Sequence, residues 1–287
     1  MKINTTTKFL SIASLCLSLF FLNSCKKKDN EVDTETQSVV DNSICEQEFM
    51  QIQPTTNNLS INTKGTGAKK VTANSSLLAS CDTLVYLSGD TTYTNLSNPP
   101  KWQFSFTSCS AANHDGVVRT GTILVTFLGK PKNTGSKSII KMLNYKVNNN
   151  ITYTCDSIVV TTQPATANTK GFQVEIINGV CTGSGGWTIK YSSNKTITMN
   201  NNGTPLVFAD DFTTVAGTSN GTNREGRNFS VAINDIVKPL NCKYITSGSL
   251  DLTPEGLSKR TVNYGEGNCD DDAIYTVNGQ TIAFKLK

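Results

Sequence analysis

The chain has one histidine, two tryptophans and only 17% charged residues among its 287. A single histidine excludes a metal centre built from several histidines, and it leaves a serine triad dependent on His114, beside Asp115 in a turn. No glycine-rich phosphate loop, heptad or helical repeat is present. The net charge of +4 falls to +2 over 263 residues once residues 1–24 are set aside, too weak a bias to suggest a nucleic-acid partner. Long apolar runs are missing too. The longest, Phe9–Leu22, has fourteen residues, whereas a bilayer-spanning helix needs about twenty.

What that run does have is the layout of an export signal: Lys2 and Lys8 before it, the small residues Asn23 and Ser24 after it, and then Cys25. Leu22-Asn23-Ser24-Cys25 resembles the lipobox of bacterial lipoproteins, in which the cysteine is acylated and the chain is cut before it. The expectation is a signal peptide over 1–24 and a mature chain held to membrane lipid through Cys25, anchored without a spanning helix. Lys26, Lys27 and Lys28 follow at once and suit either anionic headgroups or a solvated linker. Lys26, where sorting rules of such lipoproteins place aspartate for inner-membrane retention, points to the outer membrane, with the body facing the exterior.

The rest reads as all-β. Threonine, asparagine and serine recur throughout, and from about Leu77 short alternating stretches such as "KWQFSFTS", "SIIKMLNYKV" and "GFQVEIIN" are separated by turns such as "PEG" and "VNGQ". At least thirteen strands are read in this way, "GWTIKYS" and "KTITMN" among them as two separate ones. Connections this short suit antiparallel neighbours, so the predicted body over 77–287 is a single antiparallel β-sandwich or a large curled antiparallel sheet. Residues 25–76 form the anchor and a polar, flexible stalk, carrying a short helix near 41–54 capped by Asp41, Asn42 or Ser43. Ile44, Phe49, Met50 and Ile52 are its apolar contacts, and Glu46 and Glu48 fall in its first turns.

Apart from Cys16 and Cys25, seven cysteines remain. Cys81 to Cys109 spans 28 residues, Cys155 to Cys181 spans 26 and Cys242 to Cys269 spans 27. Each interval reads as one hairpin, which predicts three local disulfides of roughly 3–4 kcal/mol each, although six cysteines allow about fifteen pairings. Cys45 is left over, as a small buried residue of the helix or as a reactive thiol.

Two segments share a pattern: Cys109, Asp115, Gly116, Arg119 and Gly121 in the first, and Tyr264, Gly265, Gly267, Cys269 and Asp270 in the last. With "DNSICEQEF" and "FADDFTTVAG", they resemble a family of uncharacterised lipoproteins from Bacteroidota that closes on a Tyr-Gly-x-Gly-x-Cys-Asp segment. The first segment departs from that family's pattern in lacking glycines before Cys109. The resemblance implies an all-β surface lipoprotein and implies no known activity.

Candidate chemistry is confined to turns. Glu266, Asp270, Asp271 and Asp272 are hard oxygen donors of the kind that hold calcium, yet such residues also populate turns for local hydrogen bonding. Asp210 and Asp211, or a pair drawn with Asp270 and Asp272, supply the two carboxylates that a glycan- or envelope-directed hydrolase needs. Ser138-x-x-Lys141 and Ser192-x-x-Lys195 match a serine–lysine pattern, but on strands a spacing of three sends the two side chains to opposite faces. Trp102, Trp187, Tyr86, Tyr93, Tyr191, Tyr244 and Tyr275 are either core or a platform for a glycan or protein ligand. Asp82-Thr83-Leu84, Asp90-Thr91-Thr92 and Asp156-Ser157-Ile158 resemble a bacterial O-glycosylation acceptor. The reading reached from the sequence is a lipid-anchored binding or structural protein without an identifiable catalytic site, with the hydrolase as its alternative.

Overall fold

The computed structural model describes residues 33–62, 83–107, 117–204, 207 and 210–286, and Glu35–Lys287 forms one compact unit. The signal peptide, Cys25, the three lysines after it, Cys81, Cys109, His114 and Asp115 lie outside the described residues, as do residues 63–76 of the expected stalk.

Among the described residues, one helix, α1 (Gln37–Asn62), precedes fourteen strands. They are β1 (Thr83–Ser88), β2 (Lys101–Thr107), β3 (Arg119–Phe127), β4 (Lys137–Val147), β5 (Ile151–Thr154), β6 (Ser157–Ala165) and β7 (Thr169–Gly183). There follow β8 (Thr188–Asn200), β9 (Phe212–Thr222), β10 (Asn228–Pro239), β11 (Ser247–Pro254), β12 (Arg260–Glu266), β13 (Asp272–Val277) and β14 (Gln280–Lys285). All lie in one antiparallel sheet whose order follows the chain, with β5 and β6 sharing the place between β4 and β7. It is therefore the curled sheet and not the two-layer sandwich.

The curl follows from what the strands touch. Side chains from β3, β4, β5, β7, β8 and β9 all reach α1. Neighbouring strands are about 4.8 Å apart, so a flat sheet would spread these six positions over roughly 24 Å, twice the width of a helix at about 10–12 Å. Only a sheet bent around the helix brings them all within reach. β-bulges supply bending positions, for instance between Thr120 and Thr122 on β3. Gly121 sits there at φ 96°, where a Cβ would stand 2.2 Å from the Asn144 carbonyl oxygen, so the position admits only glycine.

Burial alternates along most of the strands, with breaks at the bulges. On β8, Ile189, Tyr191, Ser193, Lys195, Ile197 and Met199 face inward while Lys190, Asn194 and Thr196 are exposed. The two stretches read from the sequence as separate strands, "GWTIKYS" and "KTITMN", are this single strand. Against the expected helix near 41–54, α1 begins at Gln37, where the Glu35 carboxylate accepts the Ser38 N–H at 2.6 Å, and continues past Pro54 to Asn62. Residues 55–62 are thus helix where a stalk was expected. No described helix is long and apolar enough to cross a membrane.

Candidate functional site

The helix is buried on every side from Val39 to Ile52 except for the half-buried Val40, and polar residues are as enclosed as apolar ones: Asp41, Asn42, Ser43, Glu46, Gln47, Glu48 and Gln51 lie inside with Ile44, Phe49, Met50 and Ile52. An isolated carboxylate in such a place would carry a large desolvation cost. The wall removes it by bringing one cation to each acid. Arg119 on β3 makes a bidentate pair with Glu48, its Nε donating to Oε1 at 2.9 Å and a terminal nitrogen to Oε2 at 3.1 Å, and the Tyr145 hydroxyl also donates to Oε1. On β8, Lys195 Nζ lies 2.5 Å from Glu46 Oε1, and the Tyr191 hydroxyl donates to Oε2 at 2.7 Å. Arg224, between β9 and β10, gives its backbone N–H and Nε to Asp41, each at 2.8 Å. Arg260 on β12 closes over the approach to the helix, donating from Nε to the carbonyl of Glu35, two residues before it, at 3.0 Å.

The helix contains acids and no base, so it is an acidic rod in a sleeve whose inner face supplies the cations. Around Phe49 the fit is aromatic: Tyr191 stacks on its ring at 5.5 Å and Tyr153 meets it edge-on at 5.7 Å. Burial pushes the hydroxyls of Tyr153 and Tyr191 well above the ordinary tyrosine range, and neighbouring acids add to the shift. Burial also lowers Lys195, with Glu46 opposing it. These are buried groups spent on one another.

The cysteine pattern is partly as read. Cys242 and Cys269 form a disulfide across 27 residues. Cys155 and Cys181 do not pair, which corrects the second hairpin. The register explains it: Cys181 on β7 stands opposite Tyr153 on β5, while Cys155 falls in the break between β5 and β6. Cys181 instead faces Cys45 of α1, Sγ to Sγ at 2.7 Å, with both residues fully buried. Burial raises the half-buried Cys155 thiol to about 11.

The acidic turns divide as well. Asp271 and Asp272 both pair with Lys285, at 2.6 and 2.7 Å, so an ammonium already stands where a cation would. Asp270 accepts the Asp272 N–H at 3.0 Å, and Glu266 is exposed at the end of β12. Among the described residues no three acids, cysteines or histidines converge on a metal position. Asp210 accepts from the Thr204 hydroxyl at 2.7 Å. Its neighbour Asp211 is pushed up to about 6 by burial and then by Asp210, with Lys170 pulling the other way.

Of the aromatics read as a platform, Trp102, Tyr191 and Tyr275 are core. Trp187 lies half-buried under Arg224, with the guanidinium 4.0 Å above its ring. Ser192 and Lys195 lie on opposite faces of β8, as strand spacing requires. Among the described residues there are two shallow depressions, one of about 530 Å3 across β7 to β10 bordered by Asn178, Lys190, Ser192, Asn220, Thr222 and Asn228, and one of about 660 Å3 beside Tyr93, Leu128, Lys130, Asn133 and Ser136. Glu46 and Glu48 were visible in the sequence as first-turn residues, but their partners were not, since nothing in a β-strand marks which lysine points inward. Compared with protein-family models, with curated proteins and with solved structures, the chain matches none.

Proposed function

We propose that this chain is an exported lipoprotein of the outer membrane, held by an acylated Cys25, whose β-body faces the exterior and serves a structural or binding role. The observation that carries the reading is the filled interior. A curled sheet often encloses a ligand, but here α1 occupies that space and its ionisable groups are each taken by a wall residue. The outer face, rich in threonine, asparagine, serine and lysine, is open to a partner, and a depression crosses it from β7 to β10. Such a face suits hydrogen bonding to a glycan or a protein ligand. The junction at Cys25 supports the anchoring, and the Cys242–Cys269 disulfide is in keeping with export to an oxidising compartment.

The test is protease shaving of intact cells beside cells with a permeabilised outer membrane. Digestion in intact cells is expected. Protection until permeabilisation would remove the outward-facing reading. In parallel, Cys25→Ser is expected to move the protein from the membrane fraction to the soluble one, and unchanged fractionation would remove the anchor.

A further inference from the structure

Every contact between α1 and the sheet described so far is noncovalent. We propose that Cys45 and Cys181 form a disulfide that fastens α1 to β7. Their sulfurs stand 2.7 Å apart although the residues are 136 apart in sequence. Unbonded carbon atoms settle about 3.5–4.0 Å apart and sulfur is larger than carbon, whereas bonded sulfurs stand about 2.04 Å apart. The separation is therefore too short for two thiols at rest and needs only a small closure to become a bond. A thiol is a weak hydrogen-bond donor, so a hydrogen bond gives little reason for so close an approach.

The choice of partner is dictated by the fold. Cys181 points inward from β7 and Cys45 lies on the helix surface that meets it; both have no exposed area. Cys242 and Cys269 are already joined. Cys155 is displaced from Cys181 by the register, which sets Tyr153 opposite. Of the described thiols, only these two face each other.

The chemistry needs an oxidant, which is a disulfide of the glutathione type or of a thiol oxidoreductase in the export compartment; in the cell the inference thus rests on the export proposed above. One cysteine thiolate attacks the oxidant's disulfide, forming a mixed disulfide and releasing one thiolate. The other then displaces the second. In sum two S–H protons and two electrons leave the protein, one S–S bond forms, and the oxidant's disulfide becomes two thiols. Burial pushes the Cys181 thiol well above its ordinary range, with Cys45 adding to the shift, so the folded body suppresses the thiolate. Exchange therefore belongs to the stage before the sheet encloses the helix, and the finished bond is shielded from reductant.

The experiment uses the full chain, reduced and unfolded, then refolded in a mixture of oxidised and reduced glutathione, alkylated under denaturing conditions and mapped as peptides by mass spectrometry. The expected result is a peptide pair joined through Cys45 and Cys181, with Cys155 alkylated. Alkylation of both Cys45 and Cys181, or joining of either to another cysteine, overturns the inference. Because refolding supplies its own oxidant, this outcome does not depend on where the protein resides. The same map from cells, purified without reductant, reads the export question separately through Cys242–Cys269. A second measurement covers partial yields. Cys155→Ser is expected to leave the joined peptide unchanged, and reduction of the Cys45–Cys181 bond in the native protein is expected to proceed only as fast as unfolding. Prompt reduction of the folded chain at low reductant would count against a bond sealed in the core.

Discussion

Replacing Glu46 by glutamine leaves Lys195 in a place built for an ion pair. Lys195 is 1% exposed and Glu46 0%, so neither end of the pair has water to fall back on. The glutamine keeps the shape and removes the charge, and the ammonium is left with the Tyr191 hydroxyl at 2.5 Å. Breaking one side of a buried pair costs about 3–5 kcal/mol, so a loss of that size is expected in urea unfolding at pH 7. The loss should also depend on pH in a fixed direction. Lys195 is already lowered by burial, and Glu46 is the largest influence opposing that. In Glu46→Gln the lowering deepens. A lysine lowered in the folded state is most favourable to folding above its unfolded value of about 10.4, and that contribution is lost as pH falls toward the folded value, at up to about 1.4 kcal/mol per pH unit. The variant should thus recover toward the wild type between pH 7 and pH 9.5. Comparing variant with wild type at each pH cancels losses they share, such as ionisation of Tyr153 and Tyr191 in the unfolded chain near pH 10. The double variant Glu46→Leu with Lys195→Met, which removes both charges, should come within about 1 kcal/mol of wild type or exceed it. A single-variant loss under about 1 kcal/mol, or one that does not shrink with rising pH, would refute the reasoning, because Lys195 would then have reached water.

Three further outcomes are expected. Cys242→Ser frees a loop of 27 residues and should lower stability by about 3.6 kcal/mol on the chain-entropy relation, read as a shift in urea midpoint. Gly121→Ala places a Cβ 2.2 Å from the Asn144 carbonyl at a φ of 96°, so a loss of at least about 1–3 kcal/mol is expected; wild-type stability would show that the bulge relaxes freely. Asp211, raised to about 6 when folded against about 3.9 unfolded, favours folding fully below pH 4 and loses that contribution between about pH 4 and 6. Relative to Asp211→Asn, the wild type should weaken across that window, and parallel pH profiles for the two would count against a raised Asp211.

The β class was legible because period-two alternation is strong in strands such as β2 and β13, whose inward residues are apolar or aromatic. β9 was not. Its sequence, "FTTVAGTSNGT", has the composition of a loop, and only pairing on both sides with β8 and β10 makes it a strand. Ser192-Ser193-Asn194 reads as a turn for the same reason, yet Ser193 faces inward within β8. The helix was found through its capping residues and apolar positions, but its end was placed near 54, eight residues early, and its acids were read only as first-turn residues. Burial of Glu46 and Glu48 depends on Lys195 and Arg119, residues 149 and 71 positions away, and local pattern carries no such information. The Arg119-x-Gly121 motif was noticed through resemblance; the ion pair to Glu48 and the close approach to Asn144 now give each of its residues a physical reason. The Cys155–Cys181 pairing failed because the register that β5 and β6 share on β7 sets Tyr153, two residues before Cys155, opposite Cys181.

The nearly sequential order of the strands has a consequence for assembly. Each strand after the first can add to a neighbour made shortly before it, so the sheet is a succession of local pairings. The helix is the opposite case. It is the first described element of the chain, yet Thr36, at its threshold, waits for the Tyr275 hydroxyl, 239 residues later and 2.8 Å away in the finished body. A strongly apolar helix left waiting that long would invite aggregation. An acidic one remains hydrated, and its charges become neutralised one by one as the wall grows past Arg119, Lys195, Arg224 and Arg260.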